Sequence, residues 1–264
     1  MIKFFRNIRK QLLGEGKNGK YFKYAIGEII LVVIGILIAL QINNWNEQQK
    51  ENKLEQEYYC RLLEDAQQDF EQVNELILAS QNRLKASNEA TRLLLGNKTT
   101  KVDFGKQLNL SYRAIYSVFT PNNSAFEDLK SGANLKIIKD KNIIKSLNTY
   151  FNEVEKYSSI IIINAEIALD EFYSHKDKFS IGWVHATMKS NRFKKGMEKD
   201  VYDAINIDFK EELSKENKDK LLNSVLMIIS ANSRQIELYN YILDEINILI
   251  TKLEPKCRTS NEYY

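Results

Sequence analysis

The sequence predicts an all-α chain, with an N-terminal transmembrane helix continuing into an up-down-up-down antiparallel four-helix bundle. Three observations lead there. Ten Gly and two Pro among 264 residues fall far below the average usage of about 12%, and a sandwich, barrel or propeller needs special turn residues after every short strand. Five of the ten Gly precede residue 36, so the rest of the chain is almost unpunctuated. Three later segments space their apolar residues alternately by three and four, the sign of helices packed along a shared seam.

The first element, residues 1–24, is a basic leader carrying Lys3, Arg6, Arg9, Lys10, Lys17, Lys20 and Lys23 against Glu15. With a chain total of +3, this +6 leader leaves the remainder at −3, a balance that excludes a nucleic-acid partner by bulk electrostatics. Ile2, Phe5, Ile8 and Leu12 recur at helical spacing opposite Arg6, Arg9 and Lys10. That pattern suits either a segment lying on an anionic leaflet or a plain basic topology tag. Gly14 to Tyr21 resembles a phosphate-binding loop, but Tyr21 stands where a magnesium-holding Ser or Thr is needed and no strand precedes it. The glycines are better read as a flexible joint.

The second element, residues 25–44, is the span. From Ala25 to Ile42 only Glu28 and Gln41 are strongly polar, and eighteen residues at 1.5 Å rise make about 27 Å, near the hydrocarbon thickness of a bilayer. The unbroken apolar run, Ile29 to Leu40, would also suit a buried core helix; aromatic residues at both ends, Tyr21, Phe22 and Tyr24 before it and Trp45 after it, favour the bilayer. All seven leader cations precede the span, which puts the N-terminus in the cytoplasm and the C-terminal domain outside. A cleavable signal peptide fits poorly, because 24 residues precede the apolar segment and ALQINN offers no small-x-small site. Gly27, Leu31, Gly35 and Ala39 form a small-residue stripe along which a second span can pack. Glu28 is costly in hydrocarbon unless it is protonated, reaches the interface or pairs with Lys20 or Lys23, so either self-association or proton handling is expected here.

Residues 45–254 form the outer domain. The first seam runs Tyr59, Leu63, Ala66, Phe70, Val73, Ile77, Ser80, Leu84, Ser87, Thr91, Leu94, on a helix expected from about residue 25 to 96. The next runs Ile144, Leu147, Phe151, Val154, Ser158, Ile161, Ala165, Ala168, Phe172, and the last Leu222, Val225, Ile229, Asn232, Ile236, Tyr239, Leu243, Ile246, Ile250, Leu253. Between the first two lies a shorter helical piece over 106–131, broken at Thr120 to Asn123, with Asn123 or Ser124 as restart cap and Gly132 as stop. Residues 176–216 lose the periodicity and form a tip loop, and 255–264 a C-terminal tail. The up-down order brings Cys60 and Cys257, the only cysteines, to the same end, where an oxidising compartment would favour a bridge over two unrelated thiols.

Catalytic chemistry finds no foothold. His175 and His185 lack partners at ligand spacing, Glu171 beside His175 gives only two ligands, and no nucleophile motif is present. Asp65 and Asp69 read as a solvated face, and Asn232, inside the cleanest seam, as a polar device fixing register. No cofactor or metal is expected. In the tip loop, Phe179, Trp183 and Phe193 mixed with Lys189, Arg192, Lys194 and Lys195 suit an anionic or protein partner.

KYFKYAIGEI (Lys20 to Ile29) and IGILIALQINNWNE (Ile34 to Glu47), with a weaker echo in NNSAFEDLKSGANLKIIKD (Asn122 to Asp140), resemble a family of uncharacterised single-span proteins common in Bacteroidota. The resemblance implies a bacterial inner-membrane protein with a periplasmic domain and carries no activity. The basic leader with an early acidic residue is also superficially similar to the single-span partners of proton-driven stators, which carry Asp there and a mixed α/β outer domain. The expected function is a non-catalytic scaffold that oligomerises or docks another membrane protein. A ligand-sensor subunit and an energy-coupling subunit using Glu28 are the alternatives.

Overall fold

The computed structural model describes residues 18–132, 134–174, 196–204 and 211–258. It is helical throughout, with a single isolated β-bridge, Thr100 to Glu212, among the described residues. The helices are α1 (Asn18–Leu95), α2 (Lys101–Tyr112), α3 (Ser124–Ser131), α4 (Lys141–Ser174), α5 (Lys199–Ala204) and α6 (Lys215–Arg258), with a 3₁₀ turn at Asn134–Ile137. The chain divides into two compact units, Met1–Gln56 and Glu57–Tyr264.

In the first unit α1 begins at Asn18, so Gly19 lies in the helix and not in a joint. From Ala25 onward the helix contains a window of mean hydropathy 2.6, none of it buried, long and apolar enough to cross a membrane. The large apolar side chains of this stretch, from Ile26 to Ile42, are all exposed.

The second unit is built on three long helices whose directions follow from their side-chain contacts. Cys60 meets Cys257 and Arg83 meets Asn232, so α1 and α6 are antiparallel. Lys252 Nζ donates to Ser146 Oγ (2.6 Å), and the Tyr157 and Tyr241 rings lie 5.6 Å apart, so α4 and α6 are antiparallel too. Between α1 and α4 the chain returns along a broken course. Its first helix starts at Lys101, earlier than the sequence suggests, because Thr100 caps it through Asp103 N (3.1 Å). That helix stops at Tyr112, eight residues before the expected break at Thr120, and Ala114 just beyond it adopts φ 57°. Gly132 is the C-cap of α3 as expected, its backbone N–H donating to Asp128 O, and a Cβ there would stand 2.6 Å from Asn134 Nδ2. The last helix runs to Arg258 and takes in the first four residues of the segment expected to be a tail. Nor is the expected tip loop wholly loop. It contains α5, and residues 211–213 pair with 99–101 through Lys101 N to Glu211 O (2.8 Å) and Leu213 N to Thr99 O (2.9 Å).

The buried seams are those of the sequence with a drift of one position. On α6 every seventh position of the expected seam, Val225, Asn232, Tyr239, Ile246 and Leu253, is buried, and the positions between them fall one residue earlier, at Leu221, Ile228, Gln235, Ile242 and Leu249. Two apolar clusters result. One gathers Leu63, Val73, Phe126, Tyr150, Ile161 and Ile246; the other gathers Leu94, Phe104, Leu108, Ala168, Phe172 and Leu221.

Candidate functional site: a buried polar layer

Between the two apolar clusters, α1 and α6 turn polar. Ser80, Arg83 and Ser87 on α1 and Asn232 and Gln235 on α6 are buried at the same height. Arg83 Nε donates to Asn232 Oδ1 (2.8 Å), and its Nη2 donates to Gln235 Oε1 (2.7 Å) and Ser80 Oγ (2.7 Å). The two amides pass the network on: Asn232 Nδ2 donates to Ser111 O (3.0 Å) and Gln235 Nε2 to Ile115 O (2.7 Å). These carbonyls flank Ala114, the residue with positive φ, so the layer holds the strained turn that ends α2. Tyr239 OH extends the hold to Ser117 O (2.8 Å).

The layer is positively charged and holds no carboxylate among the described residues. Arg83 is 6% exposed and forms no ion pair among the described residues. Burial pushes its pKa below the usual guanidinium value, yet a guanidinium keeps its proton in proteins. Neutral oxygens therefore bear the whole desolvation cost of a buried charge. Burial also lifts the Tyr239 phenol to about 12.

A second polar node lies in the lower cluster. Asp69, read from sequence as part of a solvated face, is 1% exposed. It accepts from Tyr150 OH (2.6 Å), Asn122 N (2.8 Å) and Asn122 Nδ2 (2.8 Å). Asp65, one turn earlier, accepts from Ala125 N (3.0 Å) and Ser124 Oγ (3.2 Å). It thereby caps α3 from another helix, and Asn123, the N-cap residue, makes no side-chain cap bond of its own. The sequence reading failed here because short acids beside a seam look solvated until the loop that needs their oxygens is placed, more than fifty residues away. Burial raises the Asp69 pKa against the lowering effect of its three donors, and burial followed by the Asp69 charge raises that of Tyr150. On the surface, the Arg61 guanidinium at 2.8 Å holds Asp128 below the ordinary carboxylate value, and Lys256 at 3.1 Å does the same for Asp140.

The remaining sequence candidates are placed as follows. Cys60 and Cys257 form a disulfide with Cα atoms 4.8 Å apart. Gly27 and Gly35 have open space where a Cβ would stand, and Leu31 and Ala39 are exposed on the same helix. Glu28 is half-buried in α1; Phe22 and Trp45 are exposed. Tyr21 and Tyr24 fall in α1, with side chains outside the described set. Phe179, Trp183, Lys189, Arg192, Phe193, Lys194 and Lys195 lie outside the described residues, as do His175 and His185. Among the described residues no three His, Cys, Asp or Glu side chains converge as a metal site.

Comparison with known proteins adds one finding. The model of a family of unknown function, DUF6090, matches residues 28–214. The chain belongs to this family. No curated protein and no solved structure matches it. In this DUF6090 member the match takes in the apolar part of α1, Cys60, Asp69 and Arg83, and stops just before α6, which supplies Asn232, Gln235 and Cys257.

Proposed function

We propose that this DUF6090 protein is a non-catalytic, membrane-anchored scaffold whose helical domain self-associates or docks another membrane protein. Residues 25–44 cross a bacterial inner membrane, the N-terminus stays in the cytoplasm, and Glu57 onward stands in the periplasm as a four-helix bundle whose second course is broken. The observation that carries this is the run of large apolar side chains from Ile26 to Ile42, each about half exposed or more among the described residues. Lipid is the solvent such a surface fits. The Cys60–Cys257 pair supports an oxidising compartment for the domain, and the leader cations support the orientation. Open space at Gly27 and Gly35 supports close approach of a second span.

The test is protease added to intact spheroplasts carrying the full chain with different tags at each end. The expected result is loss of the C-terminal tag and survival of the N-terminal one until the membrane is broken. Survival of the C-terminal tag in intact spheroplasts would overturn the orientation.

A second reading, a ligand-sensing subunit, is favoured by Arg83, whose buried charge has no carboxylate partner among the described residues. It requires the melting temperature of the full protein to rise with a small anion and not to rise in Arg83→Gln.

A further inference from the structure

Cys60 is the fourth residue of the second unit, on α1, and Cys257 lies in the last turn of α6, 197 residues later. The bridge therefore ties the helix that enters the domain to the turn that ends it. Both cysteines are half-buried, with Cys257 packed at the edge of the lower apolar cluster. Their sulfurs are not sealed inside the core.

The turn that Cys257 occupies is weakly held by its own backbone. Pro255 stands inside α6; it has no N–H to give the Thr251 carbonyl, and its ring crowds that carbonyl. The amides of Lys256, Cys257 and Arg258 follow it in the helix, and at the usual spacing they reach the carbonyls of Lys252, Leu253 and Glu254. So short a piece of helix does not sustain itself in water. The Arg258–Glu254 ion pair ties the turn to its own helix. Lys256 Nζ reaches across to Asp140 Oδ2 (3.1 Å), a pair partly exposed on both sides and correspondingly weak.

Asp140 connects this turn to α4. Its Oδ1 accepts from Asn142 N (3.0 Å) and its carbonyl from Ile143 N (3.0 Å), so it caps the first turn of α4 while its Oδ2 holds Lys256. A change at Cys257 is thereby felt at the start of a second helix.

We propose that the Cys60–Cys257 bridge is a redox-sensitive latch, opened in the folded protein by a dithiol reductant. Opening frees the 255–258 turn of α6 and withdraws Lys256 from the cap of α4. One thiolate of the dithiol attacks Cys257 Sγ, which forms a mixed disulfide and breaks the bond between the two cysteines; Cys60 leaves as a thiolate and takes up a proton. The dithiol's second thiolate then attacks the reductant's sulfur in the mixed disulfide. That closes the reductant's own disulfide and releases Cys257, which is protonated in turn. Two electrons pass from the dithiol to the bridge. The latch goes beyond the scaffold reading and does not depend on it.

The test follows amide hydrogen exchange in the full chain in detergent micelles, oxidised and after dithiothreitol without denaturant. Alkylation and mass measurement report the state of the bridge in the same samples. The expected result is full reduction in the folded protein, with exchange at 256–258 at least ten-fold faster, faster exchange at 142–143, and protection of 225–246 retained through a short labelling pulse. Re-oxidation with a small disulfide should restore the oxidised pattern, and Cys60→Ser should show the open turn with no reductant present. A bridge that resists dithiothreitol until denaturant is added, or a terminal turn equally protected in both states, would overturn the latch. So would loss of protection along all of α6, which would make the bridge a brace on the whole domain.

Discussion

At the scale of single residues, Arg83 and Asp69 make opposite electrostatic demands on the same domain. Removing an acceptor from Arg83 leaves a buried charge less satisfied, so Asn232→Leu should cost about 2–4 kcal/mol in chemical denaturation. Adding Arg83→Met to that variant should return part of the loss, since it removes the charge that the amide oxygen had solvated; equal or greater destabilisation in the double variant would contradict this account of the layer. Asp69 shows itself in pH dependence. Its folded pKa lies above the unfolded value of 3.8, so the folded state takes up the proton more readily. The stabilisation from that proton is complete below 3.8 and disappears as pH rises through the folded value. Relative to Asp69→Asn, the natural protein should gain stability as pH falls toward 4, whereas the depressed Asp128 and Asp140 lose theirs only as pH falls below 3.8. Denaturant melts of both proteins across that range decide it. Asn232 was legible in the sequence because a lone amide interrupts an apolar seam. Arg83 was not, because a long cation beside a seam usually snorkels to water, and its two amide partners lie about 150 residues further along the chain.

Among the elements, the long helices were readable and the broken course was not. Seams on α1, α4 and α6 announce themselves through repetition over many turns, and the drift of one position costs only the choice between neighbours such as Leu221 and Leu222. The α2–α3 course has no such repetition, since oxygens and donors from other helices decide its ends: Asp65 caps α3, and Asn232 and Gln235 hold the turn at Ala114. Cys60 and Cys257 tie the start of this domain to its last helix across 197 residues of chain. In the chain-entropy model, closing so long a loop stabilises by about 5 kcal/mol. Cys60→Ser with Cys257→Ser should therefore lower the unfolding free energy by about that amount, read by denaturation under oxidising conditions. No difference from the natural protein would mean that the bridge is absent in solution.

For the whole molecule, everything depends on what solvent surrounds the exposed apolar stretch of α1. Water around Ile29, Leu31, Ile34, Leu37 and Ile38 would make a large uncovered apolar surface that drives aggregation; hydrocarbon removes the penalty without any change in the fold. The long apolar helix was legible from one run of residue types. Partner identity was not, because the basic and aromatic segment after α4 carries no periodicity from which a shape follows. Alkaline carbonate extraction of membranes from cells making the full chain tests the anchor directly, since it strips peripheral proteins and spares spanning ones. The account predicts that the protein stays in the membrane pellet and leaves it only with detergent; recovery in the carbonate supernatant would contradict it.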